Sequence, residues 1–317
     1  MAPPSGQQHV LMGPGDQLAV VVEVGGGLRE YTVAGRPILD GYGESEACNS
    51  GRGQILAPWA NRLRDGLFEW EGQTLQLPLT EPESHNAIHG LVRWGDWSVA
   101  EAATDSVLLV HRLRPQPGWP WPLEFGVHYS LDRDGLRVEL EVANAGSVSA
   151  PFGAGFHPYL AAFGGTVDEL ELSAPGSTRY LSDDRGLPTG TEPVAGGPFD
   201  FREGRRIGDA ELDVAFTDLQ RDPDGLARVE LRPLAPERGE GAESRVQLWV
   251  DAAWTHLMIF TGDTVSEVGR RRRGLAVEPM TSPPDMLRSG DGRRVLAPGE
   301  RWKGSWGITP GSLLLQR

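Results

Sequence analysis

Hydrophobic and polar residues alternate along several short stretches of the chain. The alternation is strict over residues 136–142, where charged side chains separate Leu136, Val138, Leu140 and Val142. Successive side chains of a strand point to opposite faces, so this pattern predicts a strand with one face against a core. Comparable stretches, many of them rich in β-branched or aromatic residues, are also predicted to be strands: residues 18–24, 28–33, 67–70, 107–112, 123–131, 226–231, 246–250 and 256–260.

Glycine and proline interrupt every stretch of helical length, and no long segment shows a helical period. The sequence therefore predicts an all-β protein. A low-complexity stretch at residues 233–244 is predicted to be an exposed hairpin loop, and the longer Gly/Pro-rich stretch at 182–208 a functional loop. The three glycines at 25–27 are predicted to form a tight turn, because no helix follows them and their spacing does not fit a dinucleotide-binding loop.

The chain of 317 residues carries 44 acidic and 30 basic residues, a formal net charge of −14. Such a surface repels phosphate backbones and anionic lipid, so neither nucleic acid nor a membrane is expected as a partner. The local exception is the arginine run at residues 270–273, which lies between two glycines and is predicted to be a hydrated turn.

Cys48 is the only cysteine, so an intramolecular disulfide and a cysteine-based metal site are both excluded. Residues 1–10 lack the basic start and apolar core of a secretion signal, and no apolar run is long enough to span a bilayer. The expected location is the cytoplasm.

Several familiar catalytic motifs are missing from the chain. It contains no Gly-x-x-x-x-Gly-Lys-Ser/Thr phosphate loop, no His-Glu-x-x-His zinc motif and no Gly-x-Ser-x-Gly nucleophile elbow. The candidate chemistry therefore rests on polar residues that stand in apolar or turn-forming surroundings.

Arg62, His89 and His157 are the basic candidates. Arg62 follows the apolar stretch Ala57-Pro58-Trp59-Ala60-Asn61, where an unpaired guanidinium would be costly to bury. A structural ion pair explains it as well as a substrate contact does. His89 lies before a glycine and His157 between Phe156 and Pro158, and each fits either a hydrogen-bonded core position or a shared pocket.

Asp213 and Glu278 are the acidic candidates, since both adjoin apolar residues. A partly desolvated carboxylate has a raised pKa and becomes a better base near neutral pH. Glu278 is the stronger candidate, because an apolar strand-like run leads into it and Pro279 is expected to end that run. Its alternative role is to cap backbone amides at a strand end.

These segments, in this order, resemble the aldose 1-epimerase (galactose mutarotase) family over nearly the whole chain. The likeness rests on Asn61-Arg62 with the residues that follow up to Leu77, on Asn86-Ala87-Ile88-His89-Gly90, on His157-Pro158-Tyr159, and on Asp213 and Glu278-Pro279. The resemblance implies one domain over residues 1–317, a large antiparallel β-sandwich with an open sugar-binding cleft on a concave sheet surface.

The resemblance also implies residue roles. Glu278 would be the general base on the anomeric hydroxyl and His157 the general acid at the ring oxygen. Arg62, His89 and Asp213 would hold sugar hydroxyls, and Asn61 would orient Arg62. Ring opening and closure involve no redox change, so neither a metal nor a cofactor is expected.

The sequence departs from typical galactose mutarotases at Ile88-His89-Gly90-Leu91-Val92-Arg93-Trp94, which lacks a second glycine. Together with Glu81-Pro82-Glu83, this resembles a divergent bacterial branch that includes a sulfosugar mutarotase. Trp94 and Trp97 are candidates for stacking on a sugar ring, and Arg93 for contacting a sulfonate or phosphate, although tryptophans in a β-sandwich mostly belong to the core.

Other functions remain open at this stage. They are a hexose-6-phosphate epimerase, a non-catalytic sugar-binding protein, and a glycoside hydrolase that uses Asp213 and Glu278 as its carboxylate pair. The expected partner is a small-molecule sugar, and the chain is expected to be a monomer or a homodimer.

Overall fold

Strands dominate the computed structural model, which describes residues 3–234 and 244–311. These residues form 27 strands, one short α-helix and three turns of 3-10 helix. The strands are β1 (Gln8–Gly13), β2 (Gln17–Val22), β3 (Leu28–Val33), β4 (Arg36–Pro37), β5 (Ile55–Leu56), β6 (Arg62–Arg64), β7 (Leu67–Trp70), β8 (Gln73–Gln76), β9 (Asn86–Ile88), β10 (Ser98–Ala102), β11 (Ser106–Leu113), β12 (Leu123–Asp132), β13 (Gly135–Asn144), β14 (Ala150–Phe152), β15 (Gly155–Phe156), β16 (Tyr159–Ala161), β17 (Leu170–Ser173), β18 (Gly176–Ser182), β19 (Pro188–Pro193), β20 (Arg205–Arg206), β21 (Asp213–Leu219), β22 (Ala227–Pro233), β23 (Val246–Val250), β24 (His256–Phe260), β25 (Gly274–Met280), β26 (Arg294–Leu296) and β27 (Arg301–Pro310). The helices are α1 (Met286–Ser289) and the 3-10 turns Pro82–Ser84, Val167–Glu169 and Val268–Arg270.

Two large antiparallel sheets form the body of the molecule. One has nine strands in the order β10-β11-β12-β13-β27-β23-β22-β17-β20, and the other has eight, namely β19-β18-β21-β24-β25-β15-β5 with β16 also paired to β25. A four-stranded sheet, β1-β2-β3-β4, and three two-stranded ribbons, β14-β26, β6-β9 and β7-β8, complete the described sheets. The predicted all-β class and antiparallel sandwich are confirmed.

A single large hydrophobic cluster fills the space between the sheets. Alternate residues of β13, such as Val138 and Leu140, contribute to it from the nine-stranded sheet, and Leu257 and Val277 contribute from the eight-stranded sheet. Because side chains alternate along a strand, the neighbouring residues of β24 and β25 point to the opposite face of the eight-stranded sheet. Glu278 is one of these outward residues.

The predicted strands all form, with ends that differ by one or a few residues from the sequence pattern. Among the strands that the pattern missed is β27, which contains Gly304 and Gly307 and nevertheless lies at the centre of the nine-stranded sheet. A side chain at Gly307 would come within 2.4 Å of the Trp249 ring, so the glycine is required by the tryptophan packed over it.

The expectation that Pro279 ends its strand is wrong. β25 continues through Pro279 to Met280, and Pro279 lies opposite Leu257 of β24. On its other side β25 pairs with the two-residue strand β15 only at Met280. A proline, which has no N–H to donate, is tolerated where the ladder is this short.

The loop predictions have mixed outcomes. Gly25 and Gly26 have positive φ angles between β2 and β3, which confirms the tight turn. The stretch at 182–208 contains β19 and β20, so it is not a plain loop. Residues 235–243 of the predicted hairpin loop lie outside the described residues, while the strands on either side of it, β22 and β23, pair antiparallel.

The arginine run at 270–273 is not simply hydrated. Arg272 forms ion pairs with Asp168 and Asp263, and Arg270 forms one with Glu46 at 3.2 Å. The two arginines thus tie the turn to neighbouring segments, which a sequence pattern of like charges does not reveal because the partners are distant in the chain.

Membrane-spanning helices are not found among residues 3–234 and 244–311: no helix there is both long and apolar enough.

Candidate active site

An open cavity of about 530 Å³ lies on the outward face of the eight-stranded sheet. It brings together the site residues predicted from the sequence, with the exception of the stacking candidate Trp97, although these residues come from six separate parts of the chain. The predicted residues that line it are Asn61, Arg62, His89, Trp94, His157, Asp213 and Glu278.

The cavity floor is a contact between the predicted acid and base. His157 Nε2 lies 3.3 Å from Glu278 Oε1, and the two side chains are only 7% and 3% exposed. His157 Nδ1 and Glu278 Oε2 have no hydrogen-bond partner within the described structure. Glu278 Oε2 therefore does not cap a backbone amide, and both of these polar atoms are fully buried.

Burial controls the protonation of this pair. Desolvation lowers the pKa of His157 to about 3 and raises the pKa of Glu278 well above its ordinary value. Asp213 raises the pKa of Glu278 further, while Arg62 opposes the rise. Burial therefore favours the uncharged form of both groups.

His89 is fixed as a neutral hydrogen-bond donor. Its Nδ1 accepts a hydrogen bond from the backbone N–H of Asn61 at 3.3 Å, so the ring proton belongs on Nε2. Burial and the neighbouring His157, whose ring lies 5.3 Å away, lower the pKa of His89 well below its ordinary value. A neutral imidazole N–H suits a sugar hydroxyl or ring oxygen.

Arg62 is held between two carboxylates. Its Nε lies 3.0 Å from Glu81 Oε2, and its Nη1 lies 3.5 Å from Asp213 Oδ2. Partial desolvation raises the pKa of Asp213, whereas the adjacent Arg62 opposes that rise. The two explanations considered for Arg62 are thus not exclusive, because the ion-paired guanidinium also lines the cavity.

Asn61 orients the backbone at Arg62. It adopts a positive φ of 56°, a conformation that asparagine tolerates better than most residues, and its Oδ1 accepts a hydrogen bond from the Arg62 N–H at 2.8 Å. The described structure shows no contact between Asn61 and the guanidinium itself, so its effect on Arg62 is through the main chain.

Tyr159, to which the sequence pattern gave no role, fixes the plane of the His157 ring. The two rings stack with centroids 5.0 Å apart, and Tyr159 OH donates to the Ser50 carbonyl at 3.1 Å. The Arg52 guanidinium lies 4.6 Å from the Tyr159 ring centroid. In the sequence, the signal for Tyr159 was its position two residues after His157, in His157-Pro158-Tyr159.

The aromatic candidates divide between the cavity and the core. Trp94 is 56% exposed and lines the cavity. Trp97 is 1% exposed, stacks on His111 and donates its indole N–H to the Val92 carbonyl, so it has no access to a ligand in the cavity. The candidate role of Trp97 in sugar stacking is therefore wrong.

A second groove, of about 800 Å³, lies on the outer face of the nine-stranded sheet. Its charged side chains pair with one another, as in Arg112 with Glu124 and Arg301 with Glu141. Neither His157 nor Glu278 lies there, so the smaller cavity is the candidate active site.

Comparison with known proteins agrees with this geometry. The family model described as aldose 1-epimerase matches residues 8–309. The chain belongs to the aldose 1-epimerase family. It is 34% identical over 284 residues to the Escherichia coli K12 protein named uncharacterized protein YihR, covering 89% of this chain and 87% of that one.

Solved structures of aldose 1-epimerase relatives share the fold. The galactose 1-epimerase from Lactobacillus acidophilus superposes with a TM-score of 0.78 at 21% identity, covering 96% of this chain and 94% of that one. The GalM/aldose epimerase homologue from C. elegans superposes with a TM-score of 0.80 at 16% identity, covering 96% and 99%. At these identities the likeness shows the fold alone.

Proposed function

We propose that the protein is an aldose 1-epimerase that interconverts the α and β anomers of a free sugar. The observation that carries this proposal is the buried contact between His157 and Glu278 on the floor of an open polar cavity. The two oxygens that exchange protons during ring opening are both bonded to C1. An acid and a base that serve them must therefore lie side by side, as these two groups do.

In the proposed reaction, the Glu278 carboxylate removes the proton from the C1 hydroxyl while His157 donates a proton to the ring oxygen. The C1–O bond of the ring breaks, the electrons pass to the ring oxygen, and C1 becomes an aldehyde. Rotation about the C1–C2 bond presents the other face of the carbonyl, and closure reverses both proton transfers. The active form of the pair carries its single proton on His157.

The remaining cavity residues would hold the sugar through its hydroxyls. Arg62 and the Nε2–H of His89 supply donors, and Asp213 supplies an acceptor. Trp94 lies exposed in the cavity wall, where an aromatic face can pack against the C–H groups of a pyranose. The reaction includes no redox step, so acid and base groups suffice.

Anomer exchange tests the proposal directly. We expect the purified protein to accelerate mutarotation of at least one sugar among glucose, galactose, their 6-phosphates and a 6-sulfonated hexose, followed by polarimetry or NMR. Glu278→Gln should abolish the acceleration. Sugar binding without acceleration would instead indicate a carbohydrate-binding protein, and no effect on any sugar would contradict the proposal.

A sugar with an anionic substituent is a second candidate substrate. The Arg93 guanidinium lines the cavity, stacks 5.5 Å from the Trp94 ring, and has no ion-pair partner among the described residues. Partial burial lowers the pKa of Arg93. The shift indicates that no neighbouring anion makes up for the water that the guanidinium has lost. A phosphate or sulfonate on the sugar would supply the missing charge.

Replacing Arg93 distinguishes the two substrate classes. If Arg93 selects an anionic sugar, Arg93→Ala should lower kcat/KM for the charged sugar by about tenfold or more and leave the neutral sugar nearly unchanged. Arg133→Ala, which removes an exposed arginine elsewhere, is the matched control. An unchanged preference in Arg93→Ala would rule out this role.

A further inference from the structure

We propose that Glu81 is a positioning residue of the active site, which holds the Arg62 guanidinium in one orientation toward the cavity. This inference rests on the proposed mutarotase function. Glu81 lines the same cavity, although it belongs to a loop outside the eight-stranded sheet. In the sequence it stands out only as part of Glu81-Pro82-Glu83.

The contact between Glu81 and Arg62 is two-pronged. Arg62 Nε lies 3.0 Å from Oε2 and Arg62 Nη2 lies 3.1 Å from Oε1 of Glu81. A bidentate pair of this kind fixes the guanidinium plane as well as its distance. The edge that carries Nη1 is left to face Asp213, so the N–H groups on that edge are the ones available to a sugar hydroxyl.

The backbone of Glu81 is itself fixed. Glu81 and Asn86 exchange backbone hydrogen bonds in both directions, at 3.0 and 3.1 Å, across the short turn at Pro82–Ser84. The Asn86 side chain then donates to Glu81 Oε2 at 3.0 Å. A glutamate with a mobile side chain would not hold Arg62 in one orientation. Glu81, however, is hydrogen-bonded to Asn86 through both its main chain and its side chain.

A second support comes from the turn between β18 and β19. Arg185 in that turn donates to Asn86 Oδ1 at 3.1 Å, and Asn86 Nδ2 donates to the Arg185 carbonyl at 3.1 Å. The chain of contacts therefore runs from the hairpin turn through Asn86 and Glu81 to Arg62. This chain of contacts holds Arg62 from outside the hydrophobic cluster between the sheets.

Glu81 also balances charge next to the acid–base pair. The positive charge of Arg62 lowers the pKa of Glu278, and the charge of Glu81 offsets that cation at close range. Glu81 in addition raises the pKa of Asp213. Removing the Glu81 charge should thus shift the titration of the His157–Glu278 pair to lower pH.

The test compares Glu81→Gln with wild type and with Glu192→Gln, which removes one carboxylate from the ion pair with Arg179 on the eight-stranded sheet, away from the cavity. Rates of anomer exchange are measured across pH 4–9, and melting temperatures are recorded for each variant. Glu81→Ala serves as a second variant that removes both hydrogen bonds.

We expect Glu81→Gln to lower kcat/KM about tenfold or more and to move both limbs of the pH profile to lower pH by about half a unit. Glu81→Ala should have a larger effect, and Glu192→Gln should match wild type. Loss of activity in Glu81→Gln with an unmoved pH profile, or activity within twofold of wild type, would overturn the inference. If wild type itself does not accelerate anomer exchange, the failure lies with the proposed function.

Discussion

At the scale of single residues, the site is defined by two groups whose pKa values are shifted in opposite directions by burial. A histidine that is usually half protonated near neutral pH becomes a weak base, and a carboxyl that is usually ionised retains a proton more strongly. The two side chains lie 3.3 Å apart. The proposed reaction requires the proton on His157 and a carboxylate at Glu278, so it uses the form of the pair that burial disfavours.

Glu278→Gln should lower kcat for anomer exchange by at least about 100-fold, because the amide cannot accept the C1 hydroxyl proton. His157→Asn should have an effect of similar size. Circular dichroism should show both variants folded, since glutamine matches glutamate in size and asparagine keeps a polar side chain at position 157. Near-normal rates in both purified variants would contradict the assigned roles.

The pH dependence of kcat/KM should be bell-shaped. Below the lower apparent pKa of the pair a second proton removes the base, and above the upper one the loss of the last proton removes the acid. In Glu278→Gln, any residual kcat/KM should no longer fall at low pH. A profile that rises steadily with pH would point to specific-base catalysis without His157.

The raised pKa of Glu278 also has a consequence for stability. Its folded-state pKa lies above the unfolded value, so its contribution to stability is lost as pH rises through the folded pKa. The melting temperature of Glu278→Gln minus that of wild type should therefore increase between pH 4.5 and pH 8. A thermal-shift series would show it, and a difference that is flat or falls with pH would contradict the burial argument.

At the scale of elements, the hairpin β18–β19 is the part of the eight-stranded sheet that reaches over to the β6–β9 ribbon. Gly186 in its turn has a positive φ of 71°, and a Cβ there would lie 2.3 Å from Arg62 Nη1. The glycine thus leaves the space into which the guanidinium fits. This turn lies within residues 182–208, the stretch predicted to be a functional loop, and that role stays a prediction.

Gly186→Ala should displace Arg62 and lower kcat/KM about tenfold or more, with a rise in KM if sugar contacts are lost first. Gly190→Ala is the matched control, because it lies in the same hairpin with nothing within 4 Å of its added methyl group. Equal activities of the two variants would show that the turn does not constrain Arg62.

At the scale of the whole molecule, the core and the candidate active site occupy different faces of the same sheet. Leu257 and Val277 fill the space between the sheets, while Glu278 and Asp213 line the cavity on the other side. Stability and chemistry should therefore respond to different substitutions. A core substitution in the nine-stranded sheet, which does not line the cavity, tests this separation of stability from activity.

Leu140→Ala should lower the free energy of unfolding by about 2–5 kcal/mol, since Leu140 is fully buried between the sheets. The folded fraction should keep kcat/KM within about twofold of wild type. Urea unfolding followed by circular dichroism, with rates measured well below the transition, would check both parts. A large loss of activity in the folded variant would indicate coupling between core and cavity.

The sequence predicted the class of fold and most of the central strands, because alternation of side chains is a local property of the chain. Among the strands it missed is β27, whose glycines are explained by the tryptophans and the neighbouring backbone packed against them. The sequence pattern also predicted that β25 ends at Pro279. The short ladder between β25 and β15, which tolerates the proline, is visible only once the strands are assembled.

For the site, the sequence alone identified the residue types and their order. His157, Glu278, Arg62, His89 and Asp213 stand out as polar groups in apolar or rigid segments, and the family resemblance links them. Whether they meet, which of them touch, and which way their protons lie depend on strands far apart in the chain. The burial that shifts the pKa values, the pairing of Arg62 with Glu81, and the exclusion of Trp97 from the cavity were decided by the tertiary structure alone, because each depends on what packs around a side chain rather than on its neighbours in sequence.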